Sequence, residues 1–161
     1  MFMKNFIKIA TLASFTLLTI FSCNNSSENN LKEKQFLCCG ENPFSDLNTT
    51  SNFNVSKITT PNGDAINDFL VIKDIQHYPA NKVSIYDLED NLVYDNNYDN
   101  LYNVFSGVNQ FTEKELESNT YKYKIDSGAG DIQYGYFCLI REASEVEGID
   151  LSECYFDDPI L

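Results

Sequence analysis

Short apolar runs separated by turn-forming residues every 8 to 12 positions fill the chain from 53 to 141, the pattern of an all-β sandwich. The runs are FNVSKI (53–58), DFLVIK (68–73), KVSIYDL (82–88), NLVYDN (91–96), NTYKYKID (119–126) and QYGYFCLIR (133–141). Tyr121, Tyr123 and Ile125 alternate with Lys122, Lys124 and Asp126, which predicts a strand with one buried and one wet face. Between the last two runs, Ser127, Gly128, Ala129, Gly130 and Asp131 supply the residues a tight loop needs for positive φ, so those runs are predicted to pair antiparallel. One helical signal interrupts the pattern. Thr112 followed by Glu115 fits a capping box opening a single turn at TEKEL, a connector between strands.

The ends of the chain are patterned differently. Residues 1–22 carry Lys4 and Lys8, no acid, and the apolar stretch 9–22, which as a helix spans about 21 Å and falls short of a hydrocarbon core of roughly 30 Å. That is a secretory signal peptide by pattern. Ile20, Phe21, Ser22 and Cys23 resemble a bacterial lipobox, which makes Cys23 the expected lipid attachment site, with cleavage just before it. More than one acyl chain, at about 0.8 kcal/mol per buried methylene, gives stable anchoring. Residues 23–52 are rich in Asn, Ser, Thr, Glu and Lys around a short apolar cluster, Phe36, Leu37, Cys38 and Cys39, and read as a flexible, disordered tether. Residues 142–161 read as an acidic, solvated tail.

Composition narrows the partners. The 161 residues include 11 Lys and Arg against 24 Asp and Glu, a net charge of −13, which disfavours nucleic acid. Loss of the two signal lysines leaves 24 acids against 9 bases, so anionic headgroups repel the body and the lipid must hold the protein at a membrane.

In order along the chain, ITTPNGDAINDFLVI (58–72), YPANKVSIYDLEDNLVYD (78–95), LESNTYKYKID and YGYFCLIR resemble the gliding motility-associated C-terminal domain, the CHU_C family, the type B sorting domain of the Bacteroidota type IX secretion system. The family turn TPNGDGxND is matched by Thr60, Pro61, Asn62, Gly63, Asp64, Asn67 and Asp68. The resemblance implies an Ig-like antiparallel β-sandwich of about seven strands over 53–141, on an exported protein. The sequence departs from the family at Ala65, where Gly is usual, at Asp87 to Asp90, where DLED replaces NRWG, in having no Trp, and in running on for twenty residues beyond the last strand. The expectation is a stand-alone, non-enzymatic outer-membrane lipoprotein built on this fold, with envelope or secretion-system proteins as partners and its face of the membrane open.

Candidate chemistry is sparse. Asn62, Asp64, Asn67 and Asp68 are oxygen donors of the kind Ca²⁺ takes, yet their spacing is not the D-x-D-x-D series, and Pro-Asn-Gly-Asp is also the chemistry of a tight turn. The turn is the leading expectation; a calcium- or glycan-binding accessory protein of a surface system is the alternative function. Cys38, Cys39, Cys138 and Cys154 are disulfide candidates in an oxidising compartment, with Cys138 as a buried apolar thiol the competing reading. A Cys39–Cys154 bond would close a long loop worth about 4–5 kcal/mol in the chain-entropy model. Zinc is disfavoured, because no CxxC spacing exists and His77 is the only histidine. His77 before a proline reads as a solvated loop residue, and no nucleophile elbow accompanies it. Tyr94, Tyr98 and Tyr102 are either core and sheet-packing residues or a sugar- or peptide-binding face.

Overall fold

A computed structural model describes residues 49–149, together with Phe36 and Leu151. The signal segment 1–22, Cys23, Cys38, Cys39 and Cys154 lie outside the described residues. Five strands form one sheet: β1 (Ile58–Thr59), β2 (Lys82–Tyr86), β3 (Leu92–Asn96), β4 (Asn119–Asp126) and β5 (Ile132–Leu139), in the spatial order β1-β5-β4-β2-β3. The architecture is all-β and consistent with a β-sandwich.

The β4–β5 hairpin is the spine of the sheet, with eight residue pairs from Asn119–Leu139 to Asp126–Ile132. Gly128 and Gly130 take positive φ in its loop, where Ser127 N donates to Asp131 O at 2.9 Å. At Gly128 a side chain is impossible as well as strained, since a Cβ there would sit 2.4 Å from Ala80 O. Gly135, mid-strand, has a different reason. It lies opposite Tyr123, and its missing Cβ is the space the Tyr123 phenol occupies.

One pairing departs from the antiparallel expectation: β1 runs parallel to β5, with Ile58 opposite Cys138 and Thr59 opposite Leu139. The cause lies just upstream, where the chain already travels beside β5 in the same direction. Thr50 N donates to Ile132 O at 2.7 Å, and Gln133 Nε2 donates to Phe53 O at 2.9 Å. The end of the tether is therefore fastened to the sheet rather than free of it.

The second layer is irregular, which is why the described residues show five strands instead of about seven. The runs at 53–58 and 68–73 meet in one isolated antiparallel bridge, Val55 with Ile72, flanked by Ser56 N to Val71 O and Lys73 N to Asn54 O, both 2.8 Å. Side chains replace further rungs: Val71 N donates to Ser56 Oγ, and the Asn100 amide brackets the main chain of Ile72, accepting from its N and donating to its O. Between the layers lie Val55, Leu70, Ile72, Ile75, Tyr98 and Phe105 on one side and Val83, Ile85, Tyr121, Tyr123, Ile125, Phe137 and Leu139 on the other. Edge-to-face ring pairs run through this core: Tyr94 with Phe105 and Phe105 with Phe137, each at 5.7 Å, and Tyr94 with Tyr98 at 6.0 Å.

The sheet is also covered on its other face at one end. Cys138 and Ile140, pointing opposite to Phe137 and Leu139, pack with Ile58 and Leu151, and Phe36 and Val146 lie against them. The expected solvated tail is thus partly docked. Ala143–Val146 form a 3-10 turn, and Glu145 accepts from the Ser118 hydroxyl.

No helical turn forms at TEKEL. Asn109 Oδ1 accepts from Phe111 N at 2.9 Å and Thr112 N at 3.1 Å, and Glu113 takes a left-handed φ of 56°, so an Asx turn wins over the capping box. Both sheet edges are blunted. Gln110 N donates to Val93 O at 2.9 Å and Gln110 Oε1 accepts from Asp95 N at 2.8 Å along β3, while β1 is two residues long.

Candidate functional site

The TPNGDAIND turn is built by its own carboxylates. Asp68 Oδ1 accepts from Asn62 N at 3.0 Å and Gly63 N at 2.7 Å, and Asp68 Oδ2 from Ala65 N at 2.8 Å. Asp64 Oδ1 accepts from Ile66 N at 2.8 Å, Asp64 Oδ2 from Asn62 Nδ2 at 2.9 Å, and Asn62 Oδ1 from Asp64 N at 3.0 Å. Thr60 closes the base, its N donating to Asn67 O at 2.7 Å and its hydroxyl to Ile66 O at 3.1 Å. All of these Asp and Asn side-chain oxygens but Asp64 Oδ2 serve backbone donors, which is the tight-turn arrangement. Among the described residues no group of three or more His, Cys, Asp or Glu is placed to hold a metal ion.

Hydrogen bonds to the charged form hold the Asp68 carboxyl below the usual carboxylate range: that of Gly63 N–H leads, and with those of Ala65 and Asn62 it outweighs partial desolvation. A group depressed in the fold contributes stability that is present above its unfolded value and lost as pH falls through its folded one. Acidification below about pH 4 is therefore expected to lower Tm through this turn, taking the ordinary Asp value as the upper limit of the window. Asp68→Asn should melt lower than wild type at pH 7, and the gap should narrow towards pH 2 in a thermal melt followed by circular dichroism.

The departure at Ala65 now has a physical cost. Gly63, Ala65 and Asn67 all have positive φ, at 81°, 69° and 53°, and alanine in that region carries a Cβ penalty of about 1–2 kcal/mol that glycine escapes. Ala65→Gly is expected to stabilise the protein by about 0.5–1 kcal/mol, net of the greater chain entropy of glycine, as read from a denaturant midpoint.

Beneath the turn, Arg141 ties two loops together, donating from Nε to Leu116 O at 2.6 Å and from Nη2 to Gly107 O at 2.7 Å. Gly107, at φ 75°, has no room for a side chain, since a Cβ would lie 2.9 Å from Pro61 Cγ. The turn, Gly107 and Arg141 therefore form one packed corner. The DLED turn repeats the logic: Asp87 Oδ1 accepts from Glu89 N at 3.0 Å and Asn91 N at 2.8 Å.

The three tyrosines do not share a face. Tyr94 and Tyr98 are core residues, whereas Tyr102 stands out in solvent. Spacing in YDNNYDNLYN gives no hint of this split, because the chain turns at Asp99 and Asn100. His77 ends a 3-10 turn at the surface, Ile75–His77. Cys138 is fully buried, its sulfur 3.6 Å from Thr120 Oγ1. Sequence reading missed the loop at 99–103, where Asp99 Oδ1 accepts from Leu101 N, Tyr102 N and Asn103 N at 2.7–2.9 Å. The Asp-Asn pair before an apolar pair was the available signal.

The family model described as the CHU_C type IX secretion signal domain matches residues 53–139, more than half of the chain, and the protein belongs to that family. Comparison with curated proteins and with solved structures finds no match. Membership associates the chain with type IX secretion or gliding motility and places it in the cell envelope or outside the cell.

Proposed function

We propose that the protein is a non-enzymatic outer-membrane lipoprotein whose β-sandwich is a recognition module for the type IX secretion or gliding machinery. The observation that carries this reading is the family match across 53–139, which occupies most of the described domain. Asp64, Asp68, Asp87 and Asp99 spend carboxylate oxygens on backbone N–H groups, which favours a turn-building role over catalysis for these acids. Cys23 supplies the lipid anchor in this reading. Two measurements test it: palmitate labelling should vanish in Cys23→Ala, and export of the full-length chain should fail in cells lacking the type IX translocon. Labelling that persists, or export that is unchanged, refutes the corresponding half.

The disulfide belongs to the same reading. In this reading Cys138 is one half of a cystine whose other half is Cys38, Cys39 or Cys154. In support, Phe36 and Leu151, close in sequence to those cysteines, pack in the cluster that contains Cys138. Non-reducing peptide mapping should recover Cys138 cross-linked to one of the three, and recovery as a free thiol rejects the bond.

A further inference from the structure

Leu101 and Tyr102, adjacent in the chain, are 77% and 89% exposed, the most exposed large apolar side chains among the described residues. They are held out by a hydrogen-bonded loop. Asp99 Oδ1 gathers the three N–H groups of Leu101, Tyr102 and Asn103, and its carboxyl is held below the usual range by the N–H groups of Asn103, Leu101 and Tyr102. Asn100, at φ 61°, bonds the main chain of Ile72 at both its N and its O, at 3.1 and 2.6 Å. On the other side Tyr98 is sunk in the core. Hence an apolar pair is displayed on a frame already ordered, so a partner that buries it loses little loop entropy on binding. Tyrosine beside an aliphatic residue is a composition suited to filling a protein pocket.

Charge decides what kind of partner fits. The chain carries −13 overall, with Asp99 at the base of the tip, so a second copy, an anionic polymer or an anionic membrane meets repulsion. We infer that the Leu101–Tyr102 tip inserts into an apolar pocket rimmed by lysine or arginine on a protein of the export machinery. The inference rests on the function proposed above and gives that function its contact residues.

The test compares full-length wild type with the double variant Leu101→Ser, Tyr102→Ser in cells with and without the type IX translocon, scoring the exported fraction by immunoblot and folding by Tm. The variant is expected to melt as wild type does and to lose export about tenfold, as the loss of one strong contact pair implies. Translocon-dependent export of wild type together with full export of the variant overturns the tip and leaves the proposed function standing. Export of wild type without the translocon overturns the proposed function. Sedimentation with phosphatidylethanolamine–phosphatidylglycerol vesicles is expected to leave the wild type in solution; co-sedimentation that the double variant loses makes the occupant a lipid surface and overturns the protein pocket.

Discussion

Asn81→Ala is expected to destabilise the protein by about 3–5 kcal/mol, the largest effect of any single polar substitution in the domain. The side chain is almost fully buried, and each of its polar atoms is spent on main chain. Nδ2 donates to Tyr78 O at 2.8 Å, to Tyr98 O at 2.9 Å and more weakly to Ile75 O at 3.4 Å, while Oδ1 accepts from Tyr98 N at 2.9 Å. One amide thus joins the loop before β2 to the strand exit after β3. Alanine leaves several buried main-chain groups unpaired, each costing about 1–3 kcal/mol before relaxation or water entry recovers part of it. Urea unfolding followed by far-UV circular dichroism reads the change as a lower midpoint, and a shift under 1 kcal/mol would contradict the assignment.

The second large effect comes as a contrast between neighbours. Tyr98→Phe is expected to cost about 2–4 kcal/mol, and Tyr94→Phe to be neutral or slightly stabilising. Both rings are buried, and they meet edge to face at 6.0 Å. Only the hydroxyls differ. The Tyr98 hydroxyl donates to Leu70 O and accepts from Phe105 N at 3.0 Å, so it adds two bonds beside the single main-chain bond that joins these segments, Leu70 N to Phe105 O at 3.0 Å, and desolvation pushes its ionisation well above the tyrosine range. The Tyr94 hydroxyl is buried without a hydrogen-bond partner, and burial pushes its pKa to about 12. Removing an unsatisfied buried hydroxyl relieves a desolvation cost, whereas removing a shared one strands two backbone groups. Equal losses in the two variants, measured by chemical denaturation, would show that ring packing and not hydroxyl bonding governs both sites.

The strands of the sheet were legible as short apolar runs bounded by turn residues. NTYKYKID coincides with β4, where burial alternates from Tyr121 onward, and KVSIYDL and NLVYDN contain β2 and β3, where consecutive residues are buried. Legibility failed where the second layer is held by single side chains. Nothing in FNVSKI or DFLVIK reveals that Ser56 and Asn100 substitute for ladder bonds and leave one bridge in place of two strands. The turn at 60–68 was readable from its Asn, Gly and Asp content, although its wiring through Asp68 depends on three positive φ values that only Gly63 advertises. YDNNYDNLYN concealed the most: Tyr98 goes inward and Tyr102 outward because Asp99 and Asn100 reverse the chain between them. The FCLI run serves two faces, which its sequence does not show, since Phe36 and Leu151 come from sequence-distant flanks to cover Cys138 and Ile140.

Blunting at both sheet margins bears on behaviour at high protein concentration. Among the described residues, a glutamine that occupies the outer rim of β3, and a companion strand only two residues long at the opposite rim, leave no extended ladder onto which another molecule can stack. Many copies can therefore crowd together without zipping into fibrils, and contact between this domain and its neighbours falls to side chains and loops.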